Sequence, residues 1–168
     1  MHGLRYAPAF RAAHRALNEG AIGRCVLVTG QKSYPFFRGG PGSRPAFYKK
    51  RDQYGSTITW VAIHAIDWTV WMLGSFATIW AAHTRLCNFD YGDCESSGVI
   101  AFTLEKGGQG AIHFDFLKAN QDPANRDACR LAGEKGTIVV AEDKAILTTH
   151  EAGPQELPLD GAENPFLG

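Results

Sequence analysis

Apolar residues recur along the chain in two rhythms, and the change between them divides it. From Tyr6 through Phe10, Ala13 and Leu17 they return every three or four positions, the stripe of an amphipathic helix. Pro8 suits the first turn, where a missing N–H costs nothing. Asn18-Glu19-Gly20 closes the stripe, and Gly20 suits a left-handed cap. After the short turn Ala21-Ile22-Gly23, residues 24–33 alternate loosely and read as a strand. Residues 59–73 are apolar nearly all round, with Trp60, Ile63, Ile66, Trp68, Val70, Trp71 and Leu73 among them. Their β-branched content suits a strand, whereas their length and the stop at Gly74 predict a buried helix. Beyond Gly74 the period shortens. Residues 76–87 read as a strand. Residues 98–104 and 110–116 form a hairpin across Glu105-Lys106-Gly107-Gly108-Gln109, and 128–132 and 137–141 a second across Gly133-Glu134-Lys135-Gly136. Asp143-Lys144 turns the chain into a last strand at 145–149.

Strands gathered after helices predict an α+β fold: a mostly antiparallel open sheet with helices packed on one face. Repeated βαβ units are absent from the pattern, and no glycine-rich phosphate loop opens a strand–helix unit. A dinucleotide's usual cradle is therefore not expected in this chain. Residues 1–152 read as one α+β domain and 153–168, rich in Pro and Gly, as an extended tail. Residues 36–55 break the rhythm. They have no steady period, yet carry Phe36, Phe37, Phe47, Tyr48 and Tyr54, and read either as a loop folded beside a ligand site or as a surface loop pinned by its aromatics.

Composition narrows the function classes. Lys+Arg and Asp+Glu both total 17, so the net charge is zero with histidine neutral, which does not support a nucleic-acid footprint. No apolar run reaches the roughly 18 residues of a membrane span. The opening Met1-His2-Gly3-Leu4-Arg5 does not resemble a secretory leader, so a cytoplasmic protein is expected. Cys25, Cys87, Cys94 and Cys129 form no CxxC pair. They read as free thiols, a disulfide or metal role being the alternative.

Chemistry concentrates at His64 and Asp67, three residues apart on one face of the apolar helix. Buried polar groups need partners or a task. The histidine can move a proton near neutral pH with a carboxylate to orient it, or both residues can be structural. Two ligands are too few for a structural zinc site, so no metal is expected. Lys49, Lys50 and Arg51 can attract an anion or form a solvated charge run. Trp60, one turn before His64, can stack on a sugar ring, and with Trp68 and Trp71 it can equally serve the core or a subunit interface. His113 and Asp115 share one strand face and read as pocket-lining or water-facing. Phe76, Phe102, Phe114 and Phe116 are candidates for aromatic contacts on one sheet face or the other.

Three segments carry a family resemblance. Gly55-Ser56-Thr57-Ile58-Thr59-Trp60 followed by Ile63-His64-Ala65-Ile66-Asp67 resembles the C-terminal domain of the glucose-fructose oxidoreductase/inositol dehydrogenase/rhizopine catabolism family. Arg5-Tyr6-Ala7-Pro8-Ala9-Phe10 with Leu17-Asn18-Glu19-Gly20-Ala21-Ile22-Gly23 is similar to that domain's first helix and the turn into its first strand. Arg130-Leu131-Ala132-Gly133-Glu134-Lys135-Gly136-Thr137-Ile138 is similar to a glycine-marked hairpin near its end. The likeness spans about residues 4–149, with the motifs in the family's order.

The resemblance implies a partner Rossmann domain on the N-terminal side and oxidation or reduction of sugars, inositols and related polyols with NAD or NADP. The cofactor is expected only with that N-terminal domain, and the isolated chain is expected to bind none and to be inactive. His64 takes the place of the family's acid/base histidine beside substrate and nicotinamide, and Asp67 that of a structural aspartate. Trp60 stands where many members have an aspartate, so that Asp/His arrangement is incomplete. The glutamate-lysine-proline motif that supplies a catalytic lysine belongs to the N-terminal domain. Tyr34, Lys49, Tyr54 and Trp60 are candidate substrate contacts, and association into a homo-oligomer through the sheet face is implied. The competing reading is a non-catalytic ligand-binding or protein-interaction module.

Overall fold

The computed structural model describes residues 3–35, 45–88, 92–118, 127–141 and 143–159. Helix α1 (Pro8–Asn18) begins with its proline in the first turn and buries Ala9, Phe10, Ala12, Ala13 and Ala16. It ends in the expected left-handed cap. Gly20 has φ of 75°, the Gly20 N–H donates to Leu17 O, and the Ala21 N–H donates to Ala16 O. Strand β1 (Cys25–Ser33) follows. A short 3₁₀ turn (Ala46–Lys49) and a single-turn helix α2 (Arg51–Tyr54) then occupy the described part of the aperiodic stretch. These turns depart from the expected loop. Pro45 presets the turn with φ of −55°, and Phe47, Tyr48 and Tyr54 stack in sequence. The glycines and phenylalanines of 36–44 lie outside the described residues.

Residues 58–73 are helical, as length and Gly74 require. The first turn (Ile58–Ala62) is π-helical, and helix α3 (Ile63–Leu73) continues it to Gly74, whose φ is 91°. The remaining strands are β2 (Phe76–Thr84), β3 (Ser97–Leu104), β4 (Gln109–Asp115), β5 (Ala128–Gly133), β6 (Gly136–Ala141), β7 (Lys144–Thr149) and β8 (Gln155–Glu156). Strand β2 stops short of the expected Cys87, where φ of 56° leaves the extended region. Gly107 and Gly108, both at φ near 90°, make the β3–β4 turn. In the tail, Gln155–Glu156 adds a two-residue edge strand, and 160–168 lie outside the described residues.

All eight described strands form one open sheet in the order β2-β3-β4-β1-β5-β6-β7-β8. Two antiparallel meanders, β2-β3-β4 and β5-β6-β7-β8, are joined by β1. It pairs parallel with β4 and antiparallel with β5. The sheet is thus mostly antiparallel and helix-covered on one face. Helix α1 rests on β6 and β7, α3 on β1, and the π-helical turn on β4 and β1.

Side-chain alternation separates the two faces. Val28, Gly30 and Lys32 of β1, Ile100, Phe102 and Leu104 of β3, and Ile112 and Phe114 of β4 are buried under the helices. Phe102, Phe114 and Phe116 therefore belong to the core, and Phe76 packs on Phe102 at 4.6 Å. The opposite face carries the register row Trp80, Ala101, Ala111, Thr29, Arg130, Val139 and Ile146, with Trp80 62% exposed.

The approach of α3 to β1 depends on a missing side chain. A Cβ at Gly30 would stand 2.6 Å from Cζ2 of Trp68, an indole with no exposed surface. Gly30→Ala is expected to cost about 1–3 kcal/mol through overpacking. Urea unfolding should show a lower midpoint with an unchanged slope, and Trp68→Phe in the same chain should recover part of the loss. An unchanged midpoint would mean that the indole is not seated on the strand.

Candidate functional site

The Gly55-Ser56-Thr57 segment is a helix start tied down from two sides. Gly55 has φ of 85°, and a side chain there would meet the Thr59 hydroxyl. The Ser56 hydroxyl accepts the Thr59 N–H at 3.2 Å, satisfying a donor that the first turn leaves open. Another is satisfied from a distant loop: the Ile58 N–H donates to Glu95 Oε1 at 3.1 Å. Glu95 Oε2 accepts from the Arg51 guanidinium at 2.6 Å, and the Thr57 hydroxyl donates to the Glu95 backbone carbonyl. Burial alone would raise the Glu95 carboxyl. The backbone N–H bonds and Arg51 outweigh that, and it is held below the usual carboxylate range.

The π-helical turn follows at once. Such turns are rare and gather at functional sites. Here it leads into His64 and places Trp60, Val61 and His64 against one cavity of about 260 Å³. Tyr34, Tyr48, Tyr54 and Phe116 complete the lining. Tyr54 stacks on Trp60 with centroids 5.5 Å apart and planes at 22°, and the Trp60 indole N–H donates to the Tyr54 carbonyl at 2.6 Å. Tyr34 meets His64 edge-on at 6.4 Å and Phe116 at 6.2 Å. The Tyr34 ring also carries Lys32 Nζ, 4.4 Å from the centroid, and the Lys32 ammonium pairs with Asp127. Rings thus form the walls, and an imidazole supplies the group able to carry a proton.

Residues 10–139 match the model of the GFO/IDH/MocA C-terminal domain. The chain belongs to the GFO/IDH/MocA C-terminal domain family. A structure described as an oxidoreductase from Thermotoga maritima is 39% identical, with a TM-score of 0.88 over 99% of this chain and 50% of its own. Levoglucosan dehydrogenase, solved with NADH and levoglucosan, shares the fold at 18% identity and a TM-score of 0.81, covering 95% of this chain and 46% of its own. An NAD-binding oxidoreductase from Klebsiella pneumoniae does so at 15% identity and 0.81, with the same coverage. The chain therefore spans about half the length of these solved relatives. No curated protein matches the sequence.

Within this family domain, four of the residues singled out by sequence, Tyr34, Tyr54, Trp60 and His64, meet at one cavity. Lys49 does not. It is exposed at the end of the 3₁₀ turn, outside the cavity lining, with its carbonyl beside Gly92. Asp67 turns away from the cavity, and its two oxygens accept from Arg5 Nε and Nη2 at 2.6 and 2.5 Å. That fork ties the segment before α1 to α3 and holds the Arg5 guanidinium above its ordinary pKa. His113 is exposed on the open sheet face, while Asp115 accepts from the Ser33 hydroxyl and the Leu117 N–H.

Tyr48 and Phe116 were named only as loop and strand aromatics, not as substrate contacts, and Lys32 was not named at all. Lys32 did leave a signal, a charge in phase with Val28 and Gly30 on the buried side of β1. All four cysteines are free thiols, and burial pushes Cys129 up to about 12, far from a reactive thiolate. Among the described residues, no group of three His, Cys, Asp or Glu is placed to hold a metal ion.

Proposed function

We propose that this chain is the substrate-binding and oligomerisation part of an NAD(P)-dependent oxidoreductase acting on a sugar-like or polyol substrate. The observation that carries the reading is His64 set in a cavity walled by Tyr34, Tyr48, Tyr54, Trp60 and Phe116. Aromatic faces suit the C–H surface of a sugar ring, and an imidazole suits its hydroxyl. Levoglucosan dehydrogenase, with the same fold, was solved with NADH and levoglucosan.

The described residues do not fit a dinucleotide. No glycine-rich turn among them joins a strand to a helix N-terminus, and the lone parallel pair, β1 with β4, is not a βαβ unit. Cofactor binding is accordingly assigned to an N-terminal Rossmann domain, with none for the isolated chain. What this chain contributes is confined to its own groups. The aromatic walls orient the ring, and the His64 imidazole accepts the hydroxyl proton during oxidation or returns it during reduction. Asp67 keeps a structural part through Arg5, and Lys49, outside the cavity lining, remains a weaker candidate for substrate contact.

One observation favours a second reading, a non-catalytic ligand-binding or interaction module. The indole of Trp60, 45% exposed, stands where the family resemblance implies an aspartate in many members. Substituting His64→Ala in the longest natural form of the protein separates the two. Turnover is expected to fall about 10²–10⁴-fold with substrate binding little changed. Unchanged turnover would reject a proton-transfer role.

The uncovered sheet face supports association of identical chains. Trp80 and Leu27 are exposed there among small residues, and a sheet must manage both of its faces. A cytoplasmic setting suits the four free thiols. No helix among the described residues is long and apolar enough to cross a membrane. Light scattering should report a dimer or larger species that Trp80→Glu dissociates. A monomer across a wide concentration range would contradict this.

A further inference from the structure

We infer that Glu95 is a positioning residue for the cavity: its buried carboxylate sets the first turns of the helix that carries Trp60 and His64. The inference rests on the reading of His64 as the proton-transfer group and adds the element that aims it. Glu95 is 1% exposed and absent from the cavity lining, so any influence on the site passes through other groups.

Those groups lie on both sides of Gly55. The carboxylate holds Arg51 of α2 by one oxygen and the Ile58 N–H by the other, while the Glu95 carbonyl takes the Thr57 hydroxyl. The segment between is the one on which the aromatic wall hinges, since Trp60 donates its indole N–H to the Tyr54 carbonyl. Local preference does little to fix this start. Thr57, Ile58, Thr59 and Val61 are β-branched, and a π-helical turn is an uncommon conformation. The hydrogen bonds accepted by Glu95 select the conformation that faces Trp60 and His64 into the cavity.

Glu95→Gln tests this with little change of shape. Both carboxylate oxygens accept, so an amide must turn its NH₂ toward either Arg51 or the Ile58 N–H, and one bond is lost. In the 168-residue chain the indole N–H signals of Trp60, Trp68, Trp71 and Trp80 can be assigned by single Trp→Phe changes. In Glu95→Gln the Trp60 indole proton should exchange with deuterium about tenfold faster, as loss of one such bond implies. The His64 ring resonances should shift, while the buried Trp68 indole keeps its position.

Arg51→Lys, which keeps a cation beside Glu95 but gives up the guanidinium geometry, should give the same pattern at smaller amplitude and serves if Glu95→Gln does not fold. Unchanged Trp60 and His64 signals would overturn the inference. So would signals that move together with Trp68, which would mark a general loss of packing. Neither readout involves turnover, so the outcome is independent of whether His64 proves catalytic.

Discussion

The indole of Trp68 lies against Gly30, and the place of the candidate site follows from that contact. A strand position without a side chain lets α3 press its most voluminous buried residue onto the middle of β1. Four residues earlier on the same helix face, His64 then stands beside Tyr34, four residues further along the strand direction. Helix and strand therefore run in opposite senses, and the imidazole is delivered beyond the end of β1. The Arg5–Asp67 fork ties the same helix to the segment before α1, and Gly74 ends it. An aspartate that by spacing alone could have oriented the histidine is instead the fastening of the helix that holds it.

Around that seat the cavity is assembled from three directions: Tyr34 and Phe116 from the ends of β1 and β4, Tyr48 and Tyr54 from the short turns, and Trp60 and His64 from the helix. Two ion pairs frame it, each with one buried partner: Lys32 with the half-buried Asp127, and Glu95 with the more exposed Arg51 at the helix start. Removing one partner of such a pair leaves a desolvated charge, so each resists independent drift of the segments it joins.

Much of this fold was legible because its signals are local. The 3.6-residue stripe with Pro8 and Gly20 marks α1, and Gly107-Gly108 marks a hairpin. The insertion of β1 between two meanders was not, since alternation identifies a strand without naming its neighbours. Phe102, Phe114 and Phe116 were recognised as strand aromatics, but which face is buried depends on where the helices land. At the site, rings near an apolar histidine pointed to Tyr34, Tyr54 and Trp60, which line the same cavity as His64. Charge did not lead to the cavity lining: Lys49 lies outside it, and a solvated lysine and a binding lysine look alike in sequence. Glu95 was invisible for a plainer reason: its partners lie 37 and 44 residues away, and nothing in Cys94-Glu95-Ser96 announces them.

Among its described residues the domain holds an aromatic cavity with an imidazole and no cradle for a dinucleotide. Hydride transfer needs nicotinamide and substrate carbon held in near contact, and a displacement of about 1 Å can cost about 100-fold. One wall cannot impose that alignment. The most direct test is calorimetric titration of the 168-residue chain with NAD and with NADP. The expected result is no saturable heat with either cofactor, and saturable, stoichiometric binding to this chain alone would contradict the division of labour.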